Sequence, residues 1–265
     1  MHRHEVSLDS LRLELELGIQ FHRSWSLKFR LPYDIKHQQS QVKFIEEITE
    51  EQRIATLKNQ YIHHRTENYS GLSDLMVLAN FQKVGLFREG DFLSASFGST
   101  LPTGRTEEDP NRLGERGLRH LHIQFGNGTF DPLFEVSYRT SVSNKLSIGG
   151  QAFNRFPFSE NKKGYRGPIE TTAGLILDYK IKPAISVHVN PTLNYQGFAY
   201  WFGTRDVNSG LIGTSVLMGI SIRSWKGMDT GLNFLYPVSQ RTLSDGDAFR
   251  RGPTVLLTFS RAFAH

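Results

Sequence analysis

The stretch Leu11–Phe21, LRLELELGIQF, alternates strictly between apolar and polar residues. In an extended chain successive side chains point to opposite faces, so its leucines, isoleucine and phenylalanine share one face and its charged residues share the other. Two settings produce this pattern. One is an antiparallel sheet with one face on a core and one in water, and the other is a membrane barrel with lipid outside and a polar lumen inside.

The segment Trp25–Ile35 continues the alternation after a short turn at His22–Ser24, which indicates a β-hairpin. With a three-residue turn the apolar faces of both strands coincide, because a slip of one residue would move every side chain to the other face. This register pairs Phe21 with Trp25, Gly18 with Lys28, Glu16 with Arg30, Glu14 with Pro32 and Arg12 with Asp34. We therefore predict that six residues line the lumen of a barrel: Arg12, Glu14, Glu16, Lys28, Arg30 and Asp34.

The composition limits the classes of function. The chain has 265 residues and a formal net charge of +5, with its Lys and Arg spread along its length. A nucleic-acid-binding protein usually concentrates such residues in one stripe, so nucleic acid is not an expected partner. Cysteine is absent, which excludes disulfides and thiolate chemistry. No apolar run approaches the roughly 20 residues of a membrane-spanning helix, whereas a barrel strand needs only about 10 alternating residues.

Alternating segments of about 10 residues recur along the whole chain. They lie at 73–83, 91–101, 130–140, 145–156, 170–181, 184–202, 211–224, 228–239 and 252–263. Short turns alternate with long polar loops, the loops being 37–72, 102–129, 157–168, 203–210 and 240–251. Barrels of the bacterial outer membrane sort their short periplasmic turns and longer extracellular loops in this way. The pattern therefore predicts one all-β domain over 1–265, an antiparallel transmembrane β-barrel of about twelve strands.

Three segments qualify this prediction. Outer-membrane barrels have an even number of strands, and the loop alternation makes the strand at Leu11 run downward, so we expect a signal segment and one upward strand to precede this sequence.

Thr254–Phe263 resembles the terminal strand by which the barrel-assembly machinery recognises its clients, although Ala264 and His265 follow the aromatic residue. Val42–Gln60 fits either an amphipathic helix or two strand extensions.

Motifs for catalysis or for cofactors are weak. His120-Leu121-His122 places two imidazoles on one face of an extended segment, a spacing that can hold a metal, but no third ligand is evident. No Gly-x-Ser-x-Gly elbow is present, and no set of Ser, His and acid stands out. We therefore expect no catalytic centre, no metal and no cofactor.

Several short motifs carry a family resemblance. They are Leu17-Gly18-Ile19, Leu31-Pro32-Tyr33, Gly71-Leu72-Ser73-Asp74-Leu75, Leu101-Pro102-Thr103-Gly104 and Phe125-Gly126-Asn127-Gly128-Thr129-Phe130-Asp131. In this order they resemble the outer-membrane proteins of the meta-pathway of phenol degradation, over most of the chain. The resemblance implies a transporter-like β-barrel that admits hydrophobic or aromatic compounds. It assigns no ligand site to any residue, and the long 37–72 segment departs from the family pattern.

Together these observations favour a channel or transporter of the bacterial outer membrane for diffusion or uptake of small molecules. Its expected partners are outer-membrane lipid, a small solute, for which the resemblance implies the aromatic class, and the barrel-assembly machinery. A barrel of about twelve strands falls between filled eight-stranded barrels and open sixteen-stranded porins, so its lumen should be narrow or partly plugged. A soluble β-sandwich or lipocalin-like binder is the main alternative, and an outer-membrane barrel enzyme is the third.

Overall fold

The computed structural model of the chain describes residues 2–63, 65–224, 227–244 and 250–263. Three predicted features therefore lie partly outside the described residues: the turn containing Trp225 and Lys226, the loop 240–251, and the two residues after Phe263. The described residues form the strands β1 (His2–His22), β2 (Trp25–Phe44), β3 (Glu67–Leu72), β4 (Leu75–Val84), β5 (Phe92–Leu101), β6 (Pro132–Ser141), β7 (Leu146–Arg155), β8 (Tyr165–Arg166), β9 (Glu170–Lys182), β10 (Ile185–Gln196), β11 (Ala199–Trp201), β12 (Thr204–Asp206), β13 (Leu211–Arg223), β14 (Met228–Thr242) and β15 (Thr254–Arg261).

One antiparallel sheet of 12 strands contains all of these except β8, β11 and β12. Trp25–Arg30 of β2 pairs with β4 and Tyr33–Gln38 pairs with β3, so β3 and β4 share one position and 11 strands lie side by side. The 11 strands follow one another across the sheet in chain order, from β1 at one side to β15 at the other. The predicted all-β antiparallel fold is confirmed. This single long sheet differs from the two packed sheets of a sandwich and from the eight strands of a lipocalin.

The remaining strands form a small sheet in the order β12-β11-β8. Its core consists of Tyr165, Ala199 and Trp201, and the rings of the tyrosine and the tryptophan lie 4.8 Å apart. The sequence prediction placed β8 and β12 in polar loops and extended one strand over 184–202. That extension is wrong: β10 ends at Gln196, and the apolar pattern beyond it belongs to the small sheet.

Of the two structures that the sequence left open for Val42–Gln60, the helix is found, and only the end of β2 extends into this segment. β2 continues to Phe44, and a helix α1 (Glu50–His63) then leads back to β3. Thr49 starts the helix: the Gln52 N–H donates to Thr49 Oγ1 (3.3 Å), and the Thr49 N–H donates to Gln52 Oε1 (3.2 Å). This reciprocal capping satisfies two backbone donors that the helix leaves free.

A second, short helix α2 (Pro110–Glu115) lies in the loop between β5 and β6. Asp109 caps it by accepting a hydrogen bond from the Asn111 N–H at 2.9 Å, and proline occupies its start, where no donor is needed. Among the described residues, neither helix is long and apolar enough to cross a membrane.

The main sheet buries polar side chains on one face and exposes apolar side chains on the other. On the buried face Asn80 is fully covered, and its amide donates to Ser94 Oγ and Ser96 Oγ, both at 2.9 Å. On the opposite face Leu15 is 70% exposed and Phe259 is 69% exposed. This arrangement inverts that of a soluble protein, in which apolar side chains form the core.

Candidate functional site

The β1–β2 hairpin has the register that the sequence predicted. Gly18 lies opposite Lys28, Glu16 opposite Arg30, Glu14 opposite Pro32 and Arg12 opposite Asp34. Only the turn differs, because an irregularity between Gln20 and His22 brings His22, not Phe21, opposite Trp25. The predicted three-residue turn is therefore wrong, since a bulge takes up one residue before a tighter turn.

Arg12 and Asp34 form a two-pronged ion pair on the polar face. Arg12 Nε lies 2.8 Å from Asp34 Oδ1, and Arg12 Nη2 lies 2.9 Å from Asp34 Oδ2. Asp34 is only 1% exposed, and it also accepts a hydrogen bond from Ser73 Oγ at 3.2 Å. The planar guanidinium matches both oxygens of a carboxylate, so this pair fixes the spacing of the two strands as well as their charges.

Arg30 joins two carboxylates that lie far apart in sequence. Its Nε is 2.6 Å from Glu16 Oε2 on β1, and its Nη2 is 3.0 Å from Glu135 Oε2 on β6, while Nη1 contacts the second oxygen of Glu135. Three interstrand steps separate β2 from β6, roughly 14 Å along a flat sheet. Side chains that stand upright on a flat sheet would not meet across this distance, so their contact indicates that the sheet curls toward its polar face.

Glu135 is the residue of this network that the sequence analysis missed. Its strand, PLFEVSYRTS, carries Glu135, Ser137 and Arg139 at alternate positions, which indicated a polar face but not its partner. Partners across three strands depend on the curvature of the sheet, which a sequence pattern does not specify.

Glu14 and Lys28 complete the predicted set. The register places Lys28 diagonally to Glu16, and in the part of the chain that the structure describes neither Glu14 nor Lys28 forms an ion pair within 4.0 Å. Lys28 instead borders a cavity of about 340 Å³ together with Ser94, Ser96 and Glu135. That all six predicted residues line a lumen stays a prediction.

A second network fastens the long β5–β6 loop to the sheet, and Asp74 is its first anchor. Asp74 accepts hydrogen bonds from the N–H groups of Gly104 (2.9 Å), Asn127 (2.6 Å) and Gly128 (3.1 Å). A Cβ at Gly126 would lie 2.6 Å from Asp74 Oδ1, so only glycine lets the loop backbone approach this closely.

Asp131 is the second anchor and is completely buried. It accepts hydrogen bonds from Asn127 Nδ2 (2.7 Å) and Thr129 Oγ1 (2.6 Å), and Arg155 Nη2 lies 2.6 Å from its Oδ2. The same Nη2 lies 3.6 Å from Asp74 Oδ2, so Arg155 links the two anchors. We call Asp74, Asp131, Arg155 and their backbone partners the loop knot.

The loop knot brings together three of the motifs that carry the family resemblance. Asp74 belongs to the Gly71–Leu75 motif, Gly104 to the Leu101–Gly104 motif, and Asp131 to the Phe125–Asp131 motif. The motifs therefore had a structural meaning that their spacing alone did not reveal: they hold a long loop against the sheet.

The paired histidines lie close to each other in this loop. The ring centroids of His120 and His122 are 5.1 Å apart, and His120 Nδ1 lies 2.9 Å from the Leu118 carbonyl oxygen. Over the described ranges of the chain, no group of three His, Cys, Asp or Glu side chains has the geometry to hold a metal ion.

The fold resembles that of a known channel. The crystal structure of an outer membrane channel from Pseudomonas putida F1 matches this chain with a TM-score of 0.59 and 14% sequence identity. The match covers 96% of this chain and 82% of that channel. At this identity the likeness shows a shared fold, here an antiparallel sheet of the outer-membrane channel type.

Comparisons of the sequence alone find less. No family model matches the chain, and no curated protein matches it. They therefore give no support to the resemblance to the phenol meta-pathway family, although the outer-membrane channel fold which that resemblance implied is found.

Proposed function

We propose that this chain forms most of a β-barrel channel in the bacterial outer membrane, through which small molecules diffuse. The observation that carries the proposal is the Arg30–Glu135 contact, because it indicates that the polar face of the sheet curls inward. A sheet of 11 strands that curls in this way partly surrounds a polar space.

The apolar face supports the same proposal. Large apolar side chains are exposed along the first, middle and last strands of the sheet, among them Leu15, Leu175, Val238 and Phe259. Soluble monomers rarely expose contiguous apolar patches larger than a few hundred Å². Lipid would cover this face, so we propose an outer-membrane location and lipid contact.

The sheet needs one more strand pairing to close into a barrel. Among the described residues, β1 and β15 each pair with a single neighbour. Open edges in a membrane would leave backbone donors and acceptors unsatisfied at a cost of several kcal/mol each. We propose that a further strand between them, or direct pairing of β1 with β15, closes the barrel.

The loop knot is consistent with a narrow passage through the barrel. The knot, which includes Asp131, holds the segment between β5 and β6 against the sheet and near the buried residue Thr100. We propose small solutes for this reason. The hydrophobic or aromatic class that the family resemblance implied is the finer part of the proposal, and the barrel-assembly machinery is its proposed partner during folding.

A conductance measurement tests the proposal. Protein refolded in detergent is added to a planar lipid bilayer, and we expect discrete channel openings that phenolic compounds reduce. In parallel, the folded protein should migrate faster on a gel than the boiled protein, as membrane barrels do. A protein that stays soluble without detergent and gives no conductance would contradict the channel and favour a soluble binder.

A further inference from the structure

A basic cavity lies at the end of the sheet where the short turns are. It has a volume of about 500 Å³ and is bordered by residues from three successive hairpins, β6–β7, β9–β10 and β13–β14. We call it the turn cavity. It is separate from the cavity beside Lys28 and from the loop knot, and neither the fold nor the proposed function assigns it a role.

The charges around the turn cavity do not balance. Two carboxylates, one histidine and five Lys or Arg side chains border it, the last being Arg139, Lys145, Lys180, Lys182 and Arg223. Both arginines are already engaged: Arg139 Nη1 lies 3.1 Å from Asp178 Oδ2, and Arg223 Nε lies 3.0 Å from Asp229 Oδ1. Over the ranges that the structure describes, the three lysines form no ion pair within 4.0 Å. Among the described residues, the lining of the cavity therefore has three more Lys and Arg side chains than carboxylates, and its two carboxylates are paired with the arginines.

The backbone holds these lysines next to hydroxyl groups. Lys180 lies opposite Ser186, which in turn lies opposite Ser221 on the next strand, so the three form a row across the sheet. The Lys180 N–H donates to the Lys145 carbonyl oxygen at 2.7 Å, which brings the β6–β7 turn beside this row. Ammonium groups and serine hydroxyls at one cavity wall are donors that suit a tetrahedral, negatively charged phosphoryl group.

We infer that the turn cavity binds a phosphoryl group, either as a free phosphate compound or as the headgroup of a phospholipid. Three lysines provide a local positive potential that attracts a multivalent anion more strongly than a monovalent one. The serine hydroxyls donate hydrogen bonds to the phosphoryl oxygens that the ammonium groups of the flexible lysine side chains do not contact. The inference rests on the proposed function only in that it places the turn cavity at one mouth of the channel. Binding of a phosphoryl group does not depend on whether the protein conducts ions.

Titration calorimetry in neutral detergent micelles tests the inference, with inorganic pyrophosphate as the probe. We expect the wild-type protein to bind pyrophosphate, and the combined Lys145→Gln, Lys180→Gln and Lys182→Gln variant to bind it about tenfold more weakly. The matched control removes the same charge elsewhere through Lys58→Gln, Lys83→Gln and Lys162→Gln. Lys83 is informative because it lies at the same end of the sheet, on the side opposite to Asn80 and Gln82.

A second arm distinguishes the two sources of the phosphoryl group. Thermal unfolding is followed in micelles that contain short-chain phosphatidylglycerol or phosphatidylcholine. Stabilisation by phosphatidylglycerol that the cavity variant loses, without binding of pyrophosphate, would assign the site to a lipid headgroup. Binding of pyrophosphate alone would assign it to a free phosphate compound.

Two results would overturn the inference. One is an equal loss of pyrophosphate binding in the cavity variant and the control, because that would reflect net charge alone. The other is no binding in either arm. If the cavity variant fails to fold, Asp178→Asn and Asp229→Asn serve instead: each removes a competing carboxylate and should tighten pyrophosphate binding about threefold, and weaker or unchanged binding would contradict the site.

Discussion

The β1–β2 hairpin and the loop knot both join charged groups on the polar side of the same sheet, but they do so over different distances in sequence. Arg12 and Asp34 are 22 residues apart on adjacent strands. Asp74 and Asn127 are 53 residues apart, and they meet only because a long loop folds back on the sheet. The hairpin pairs follow from register, whereas the knot depends on the assembled sheet. Changes in the knot should therefore affect stability, and changes in the hairpin should affect the passage of solutes.

The largest effect is expected for Asp74→Ala. This change leaves three backbone N–H groups without their acceptor and removes one of the two carboxylates near Arg155. Removing one partner of a buried charged network typically costs about 3 to 5 kcal/mol. Urea unfolding of the refolded protein in lipid vesicles, followed by tryptophan fluorescence, measures the loss.

The control for Asp74 is Asp9→Ala. Asp9 is an exposed carboxylate on β1, and its removal should change the free energy of unfolding by no more than about 0.5 kcal/mol. A similar small change for Asp74→Ala would mean that the loop knot does not hold the fold together.

The second effect concerns the apolar face of the hairpin. Leu15→Arg should cost roughly 2 to 4 kcal/mol if this position lies near the middle of the bilayer. Ser94→Arg, on the polar face next to Asn80, should be tolerated because it borders a cavity with polar side chains and Asn80 keeps Ser96 as a partner. The same vesicle unfolding assay compares the two variants, and equal costs would refute the assignment of the two faces.

The third effect concerns Arg30 and the passage of ions, which we expect the charged pairs of the hairpin to influence. Arg30→Glu places a third carboxylate between Glu16 and Glu135 and should cost about 1.5 to 3 kcal/mol through the lost charged hydrogen bonds. In a salt gradient across a planar bilayer, the reversal potential should shift toward cations. Arg53→Glu makes the same charge change on helix α1, where we expect no shift. Unchanged selectivity in Arg30→Glu would mean that this network supports the sheet without filtering ions.

The same comparison explains how much of the molecule the sequence could predict. Alternation with period two identified the strands and their faces, and it set the register of Glu16 with Arg30 correctly. The alternation did not predict the bulge beside the turn, because Phe21 fits the pattern whether or not it is paired. It also did not predict Glu135 and Arg155 as partners, because their contacts depend on the curl of the sheet and on a folded loop.

The small sheet was missed for a related reason. Tyr165 and Trp201 form its core, but β8 and β11 contribute only two and three residues. A segment that short has no measurable period, so its pattern cannot be separated from that of a loop or of a preceding strand.

The smallest effect is expected at Asp91, which offers a local counterpart to Asp74. Its carboxylate accepts hydrogen bonds from the N–H groups of Leu86 (2.9 Å), Phe87 (3.0 Å) and Arg88 (3.0 Å), all within the short β4–β5 turn. Burial raises the pKa of Asp91, but the hydrogen bonds from Phe87, Arg88 and Leu86 outweigh it and hold the pKa below its ordinary value.

A lowered pKa in the folded state has a definite consequence for stability. The unfolded chain binds a proton at Asp91 near the ordinary pKa of about 3.9, whereas the folded protein resists protonation until a lower pH. The contribution of Asp91 is therefore complete above about pH 4 and is lost as the pH falls through the folded-state pKa. We expect wild type to be more stable than Asp91→Asn at pH 7 and the difference to shrink progressively below about pH 4. Vesicle unfolding at a series of pH values measures it, and a difference that does not change with pH would show that the Asp91 side chain acts through its shape and not through its charge.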